Sequence, residues 1–164
     1  MNQRLVVASS NLSNTSLIED KGAFFKSVIG TLNHIMVGDI LWLKRFSSHP
    51  SCYGSLKPMG NIDKPEKLNN ILYVDLTQFS KARRKLDEMI IEWCKEIKIV
   101  DLDNPLRYIN YKEEQHNKRL GDLILHFFLH QVHHRGQITT LLSQEGIDFG
   151  ATDLPEIVPD ETLA

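Results

Sequence analysis

The spacing of apolar residues restricts the fold of this chain more than any other feature of its sequence. Apolar side chains recur at every third or fourth position through three long segments, a period that is typical of helices with one buried face. The pattern predicts helices over residues 21–46, 75–97 and 120–145, with Asp75 as an N-cap and Gly146 as a C-terminal stop. Long helices that each carry one apolar face predict an all-α, antiparallel four-helix bundle.

The remaining segments predict smaller elements around these helices. Residues 2–12 carry only a few apolar anchors and predict one short further helix. Residues 50–72 contain glycines and prolines and predict an irregular connection. The alternation within 107–120 predicts a short hairpin before the last long helix. A length of 164 residues predicts that 1–164 form a single domain.

Charge and cysteine content exclude several classes of function. A net charge of -2 argues against a nucleic-acid-binding protein, and the one basic run, residues 81–85, is expected to form a solvated helix face. Cys52 and Cys94 have no metal-binding or redox spacing and are expected to be reduced thiols. With no apolar run of transmembrane length and no signal pattern, the sequence predicts a cytoplasmic protein without membrane contact.

Four histidines lie within residues 126–137, HFFLHQVHHRGQ. On a helical wheel His134 falls inside the apolar arc and His130 at its edge, while His126 and His133 fall farther round toward the flank. His130 and His134 are four residues apart, so their rings project from adjacent turns and are spaced to chelate one ion. Alternatively, each ring forms a hydrogen bond to another buried group and binds no metal. A buried imidazole without any partner would cost roughly 1–3 kcal/mol.

A third ligand is expected from another helix. His34 is the candidate, because it lies at the edge of the first helix's apolar stripe, whereas His49 and His116 are expected at the surface. Three histidines with an open coordination position are typical of a catalytic metal site. Gln131 stands where the zinc-protease motif HExxH has its glutamate, so peptide hydrolysis is disfavoured.

Three further residues are weaker candidates for the site. Asp39 and Arg135 lie near the apolar faces of their helices, where they either form an interhelical ion pair or bind an anionic substrate. Gln137 falls near the wheel position of His130, where it either supports a ligand or lines a pocket.

Two stretches carry a resemblance to a known family. Residues 31–46, TLNHIMVGDILWLKRF, and 130–159, HQVHHRGQITTLLSQEGIDFGATDLPEIVP, resemble the DinB-like (damage-inducible protein) superfamily of four-helix-bundle metalloenzymes. The resemblance implies metal ligation by His34, His130 and His134, zinc or nickel as the ion, and a homodimer. The sequence departs from the family pattern in one respect, because its first helix is expected to be shorter than is usual in the family. The family name reflects a stress response, induction by DNA damage, and does not imply DNA binding.

The resemblance also implies a thiol-dependent activity, since characterised relatives are S-transferases and isomerases that use bacillithiol, mycothiol or glutathione. The leading hypothesis is therefore a metal-dependent transferase that joins a low-molecular-weight thiol to a small electrophile. Two alternatives stay open: a hydrolase in which the ion activates water, and a non-catalytic metal- or ligand-binding bundle.

Overall fold

The computed structural model describes residues 1–156 and 158–160, and these are mostly helical. The helices are α1 (Asn2–Ser9), α2 (Asn14–Ile18), α3 (Val28–Phe46), α4 (Leu76–Glu96) and α5 (Leu120–Gln144). The strands are β1 (Pro105–Ile109) and β2 (Gln115–Arg119). Short 3₁₀ helices cover Gly54–Asn61, Ile99–Asp103 and Leu154–Glu156, so the connection predicted as irregular contains one of them.

The ends of the long helices follow from local chemistry. The Asp75 carboxylate accepts a hydrogen bond from the Gln78 amide at 2.7 Å, which confirms the predicted cap of α4. Gly146 follows α5 with a φ of 71°, a backbone conformation that favours glycine, and confirms the predicted stop. The predicted helix over 21–46 began too early, because the Ser27 hydroxyl caps α3 at the Gly30 amide.

The predicted hairpin before the last helix is confirmed. β1 and β2 pair in antiparallel register, with Tyr108 opposite His116. The two rings stack at 5.1 Å between centroids. The hairpin thus presents an aromatic ring close to the end of α3, where Trp42 contacts Tyr108 at 5.4 Å.

α3 and α5 run in opposite directions. His34, near the start of α3, contacts His134, and Phe46 at its end contacts Phe127, which lies earlier in α5. The prediction of antiparallel packing is therefore correct for this pair.

α3 and α4 run in the same direction, which corrects the prediction of a wholly antiparallel arrangement. Asp39 pairs with Arg83, and farther along both helices Phe46 stacks on Trp93. Two parallel neighbours require a connection that returns along their whole length. The long segment 47–75 makes that return, and it thereby passes close to the start of α3.

α1 is short and packs against α4 and α5.

Two surface predictions are wrong. Arg83, inside the basic run, is only 2% exposed because it pairs with Asp39. His49 is also 2% exposed, since its ring stacks on Tyr53.

Among the described residues, none of the helices has the length and apolar character needed to cross a bilayer.

Candidate metal centre

Three histidines from two helices converge at one point. The His34 Nε2 atom of α3 lies 3.1 Å from the Nε2 atom of His130 and 3.1 Å from that of His134, both on α5. One nitrogen from each ring lies within 4.8 Å of the others. His34 and His134 are buried and His130 is half-buried. The cluster is therefore compatible with a divalent metal site built from the three residues predicted for it.

Hydrogen bonds on the far side of two rings define which nitrogen carries the proton. His34 Nδ1 lies 2.8 Å from the Leu68 carbonyl oxygen, which can only accept, so this nitrogen donates. His134 Nδ1 likewise lies 2.7 Å from the side-chain oxygen of Gln137. Both Nε2 atoms are then left with a lone pair that points into the cluster. Gln137 therefore supports a candidate ligand from behind, one of the two roles predicted for it.

Burial keeps these rings neutral. Desolvation lowers the pKa of His34 to about 4, and lowers the pKa of His130 to about 3 with a further contribution from His134. Desolvation also lowers the pKa of His134. The Nε2 atoms of His34 and His134 both present lone pairs at 3.1 Å and therefore cannot hydrogen-bond to each other, so a cation is the group that satisfies the two together.

The spacing of the His34 nitrogen from the nitrogens of His130 and His134 fits a tetrahedral ion. Zinc–nitrogen bonds of about 2.0–2.1 Å place two nitrogen ligands of a tetrahedral ion about 3.3 Å apart. The distances of 3.1 Å from His34 to His130 and to His134 lie close to that value. In the described residues no carboxylate or cysteine joins the three histidines, so a bound ion would keep at least one position open.

Phe25 and Leu68 were missed by the sequence reasoning. The Phe25 ring stacks on His34 with 3.7 Å between centroids and covers one side of the cluster. Leu68 contributes only its backbone carbonyl, from the long return segment between α3 and α4. Phe25 has no sequence signal, because it lies within the predicted helix 21–46 but before the observed start of α3. Leu68 has none, because every residue has a carbonyl acceptor.

The other two histidines of residues 126–137 lie outside the cluster. His133 is exposed, and its Nε2 atom is 3.3 Å from the Gln137 amide nitrogen. The His126 ring lies against Trp42 at 5.2 Å and is 6.0 Å from the His130 ring. The arrangement agrees with the wheel, which put both residues on the flank of the buried face.

Asp39 and Arg135 do not pair with each other, which corrects one of the two roles considered for them. The Asp39 carboxylate accepts from Arg83 at 2.6 Å and from the Gln131 amide at 2.9 Å. Arg135 donates to the Gln131 side-chain oxygen at 3.2 Å and to Asn2 at 3.3 Å. Gln131, which replaces the protease glutamate, is thus a buried link between α3 and α5.

We expect Gly38→Ala to weaken metal binding about tenfold or more while leaving the fold intact. A Cβ atom at Gly38 would lie 2.8 Å from Cε1 of His130, so the ring must move. The ring is the end of a side chain and can shift, but its ligand atom shifts with it, as when a supporting contact is lost. Gly136→Ala is the matched control, since its Cβ atom meets nothing within 4 Å. Equal metal affinity in both variants, measured by chelator competition, would contradict the expectation.

We expect the metal-free chain to lose stability as the pH falls below about 6.5. The native pKa values of His34 and His130, about 4 and about 3, lie below the ordinary value of 6.5, so the unfolded state binds more protons. Stability therefore decreases as the pH decreases through this range. His130→Gln should reduce the slope between pH 6.5 and 5 by about one proton in urea unfolding with chelator present. Equal slopes in the wild-type protein and His130→Gln would rule the explanation out.

Comparison with known proteins agrees with this geometry. No curated protein and no solved structure matches the chain. The sequence model of the DinB family matches residues 2–160, a range that contains all three histidines of the cluster. The chain therefore belongs to the DinB family.

Proposed function

We propose that the chain is a divalent-metal-dependent enzyme in which His34, His130 and His134 hold zinc or nickel. The observation that carries the proposal is the convergence of three neutral imidazoles, in which the His34 Nε2 atom lies 3.1 Å from the Nε2 atoms of both His130 and His134. The fold we propose for it is a four-helix bundle, with the short α1 beside α3, α4 and α5, forming a single domain.

The activity we propose is transfer of a low-molecular-weight thiol to a small electrophile. A bound ion would supply a Lewis acid that lowers the pKa of a thiol, and the thiolate is the reactive nucleophile. The chain's own residues hold and orient the ligands: Leu68 and Gln137 fix two rings, and Phe25 keeps water from one face of His34.

A hydrolase that uses water is the competing activity. Asp39 is the one carboxylate on α3, and it is occupied by Arg83 and Gln131. It is therefore not available as the general base that would assist attack by water. This occupation favours the thiol over water as the nucleophile.

The test is activity against a panel of electrophiles, each with and without a thiol and with and without added zinc or nickel. The proposal expects product formation that needs both the thiol and the metal. Turnover with metal but without thiol would support the hydrolase instead. Metal binding without any turnover on the panel would support a non-catalytic binding protein.

The cellular setting we propose is the cytoplasm. Cys52 and Cys94 are both exposed free thiols, and this is the expected state of cysteines in a reducing compartment. The substrate is proposed to be a small molecule, since the candidate centre is formed by side chains packed between α3 and α5.

We expect a homodimer that uses the outer face of α5. Leu125, Leu129 and Val132 are each more than half exposed and follow one another at helical spacing. A contiguous apolar stripe of this kind is usually covered by a partner. Leu129→Arg should shift sedimentation toward the monomer at high micromolar concentration, whereas Ile91→Arg, an equally exposed position on α4, should not. A wild-type monomer at that concentration would count against the dimer.

A further inference from the structure

The last turn of α3 holds an arginine between two aromatic rings. The guanidinium carbon of Arg45 lies 4.5 Å from the centroid of the Trp42 ring and 4.9 Å from that of Tyr108. Contacts of this kind cover the faces of the planar guanidinium. The N–H groups project from its edges, so they stay available to bind an oxyanion in the plane of the group.

Arg45 has no anionic partner in the described part of the chain. No carboxylate of residues 1–156 or 158–160 forms an ion pair with it, in contrast to Arg83 and Arg119. Burial lowers the pKa of Arg45, because its charge is partly removed from water. A partly buried guanidinium with free donors is a preformed site for an anion supplied from outside the chain.

A continuous run of rings joins Arg45 to the candidate metal centre. The centroids of the Trp42 and His126 rings are 5.2 Å apart, and those of the His126 and His130 rings are 6.0 Å apart. His34 and Arg45 are separated by three turns of α3 and therefore project from nearly the same side, about 16 Å apart along the axis. Because a metal–sulfur bond and a hydrogen bond from the guanidinium each take up part of this separation, the ligand itself must span roughly 10–15 Å.

We propose that Arg45, held between Trp42 and Tyr108, binds a carboxylate of the thiol co-substrate while the sulfur reaches the three histidines. The inference rests on the proposed function and adds the class of thiol to it. The span selects an elongated thiol whose carboxylate lies about 10 Å or more from its sulfur. A compact thiol acid, with both groups on neighbouring carbons, cannot occupy both sites at once.

The test uses a series of thiols that differ in the distance between sulfur and carboxylate. Mercaptoalkanoic acids from mercaptoacetic to mercaptoundecanoic acid cover sulfur-to-carboxylate distances of about 3 to about 14 Å. Each acid is compared with its methyl ester, so that the apolar contribution of the ligand's alkyl chain to binding cancels. Titration into the cobalt(II)-loaded protein, followed by the thiolate-to-cobalt absorption band, reports sulfur binding without any requirement for turnover. We expect the acid to bind about tenfold or more tightly than its ester only at the longer chain lengths.

Arg45→Gln should abolish that preference at every chain length while the esters bind as they do to wild type. Arg45→Lys should keep only part of it, since an ammonium lacks the planar fork of donors. Arg84→Gln is the matched control: it removes the same charge from an exposed position on α4 and should leave the preference unchanged. Circular dichroism and cobalt content verify that each variant is folded and loaded.

The outcomes separate this inference from the function on which it rests. If no thiol, acid or ester, produces the absorption band, the proposed thiol chemistry fails and the inference fails with it. If the thiols bind but acids and esters do so equally, or if the preference persists in Arg45→Gln, the carboxylate site is overturned while the proposed function stands.

Discussion

His34→Ala, His130→Ala and His134→Ala should each lose nearly all bound metal. Each substitution removes one of three nitrogen ligand atoms that lie within 4.8 Å of one another, and two such atoms hold an ion far less tightly than three. The loss in affinity should exceed the roughly 10–100-fold that removal of a supporting hydrogen bond costs. The measurement is metal per chain after dialysis against a weak chelator, with folding checked by circular dichroism.

The same stretch of α5 contains the control. His133→Ala removes a neighbouring histidine with an exposed ring, and it should retain metal close to wild type. His126→Ala should also retain metal, although its ring lies 6.0 Å from His130 and its loss will loosen that neighbour slightly. Full retention in His34→Ala, or loss confined to His133→Ala, would show that other residues hold the metal.

Asp39→Asn should destabilise the chain by about 3–5 kcal/mol. Its carboxylate is buried and receives the Arg83 guanidinium at 2.6 Å, so the neutral amide leaves a buried cation without its main partner. Asp87, the other carboxylate bound to Arg83, is partly exposed and compensates only in part. Urea unfolding of the metal-free protein measures the change.

A surface pair provides the comparison for Asp39. Glu92 and Lys95 also form an ion pair at 2.7 Å, but both side chains are mostly exposed, so Glu92→Gln should change stability by no more than about 1 kcal/mol. Combining Asp39→Asn with Arg83→Met should recover much of the lost stability, because the unpaired charge is then removed. Similar small losses in Asp39→Asn and Glu92→Gln would refute a structural role for the buried pair.

Local patterns were enough to predict most of the helical structure. The spacing of apolar residues converts directly into a buried face, so the long helices, the Asp75 cap and the Gly146 stop were predictable. The hairpin was also predictable from its alternation. The start of α3 was not, because residues 21–27 continue a helical spacing even though Ser27 caps the helix after them.

The candidate site was predictable to the extent that it is local. The four-residue spacing of His130 and His134 on one helix face implies that their rings are neighbours, whatever the rest of the fold does. His34 was selected by its position on its own apolar stripe, together with the family resemblance. The structure brings all three together, with Gln137 behind His134.

Only the tertiary structure decided which distant groups meet. The sequence by itself determined the faces of the helices, because a face depends on residues three or four positions apart. The direction of α4, the pairing of Asp39 with Arg83, and the carbonyl of Leu68 behind His34 depend on residues separated by tens of positions. The same holds for Arg45 and Tyr108. The register between helices is set by packing of the whole core, and no local spacing encodes it.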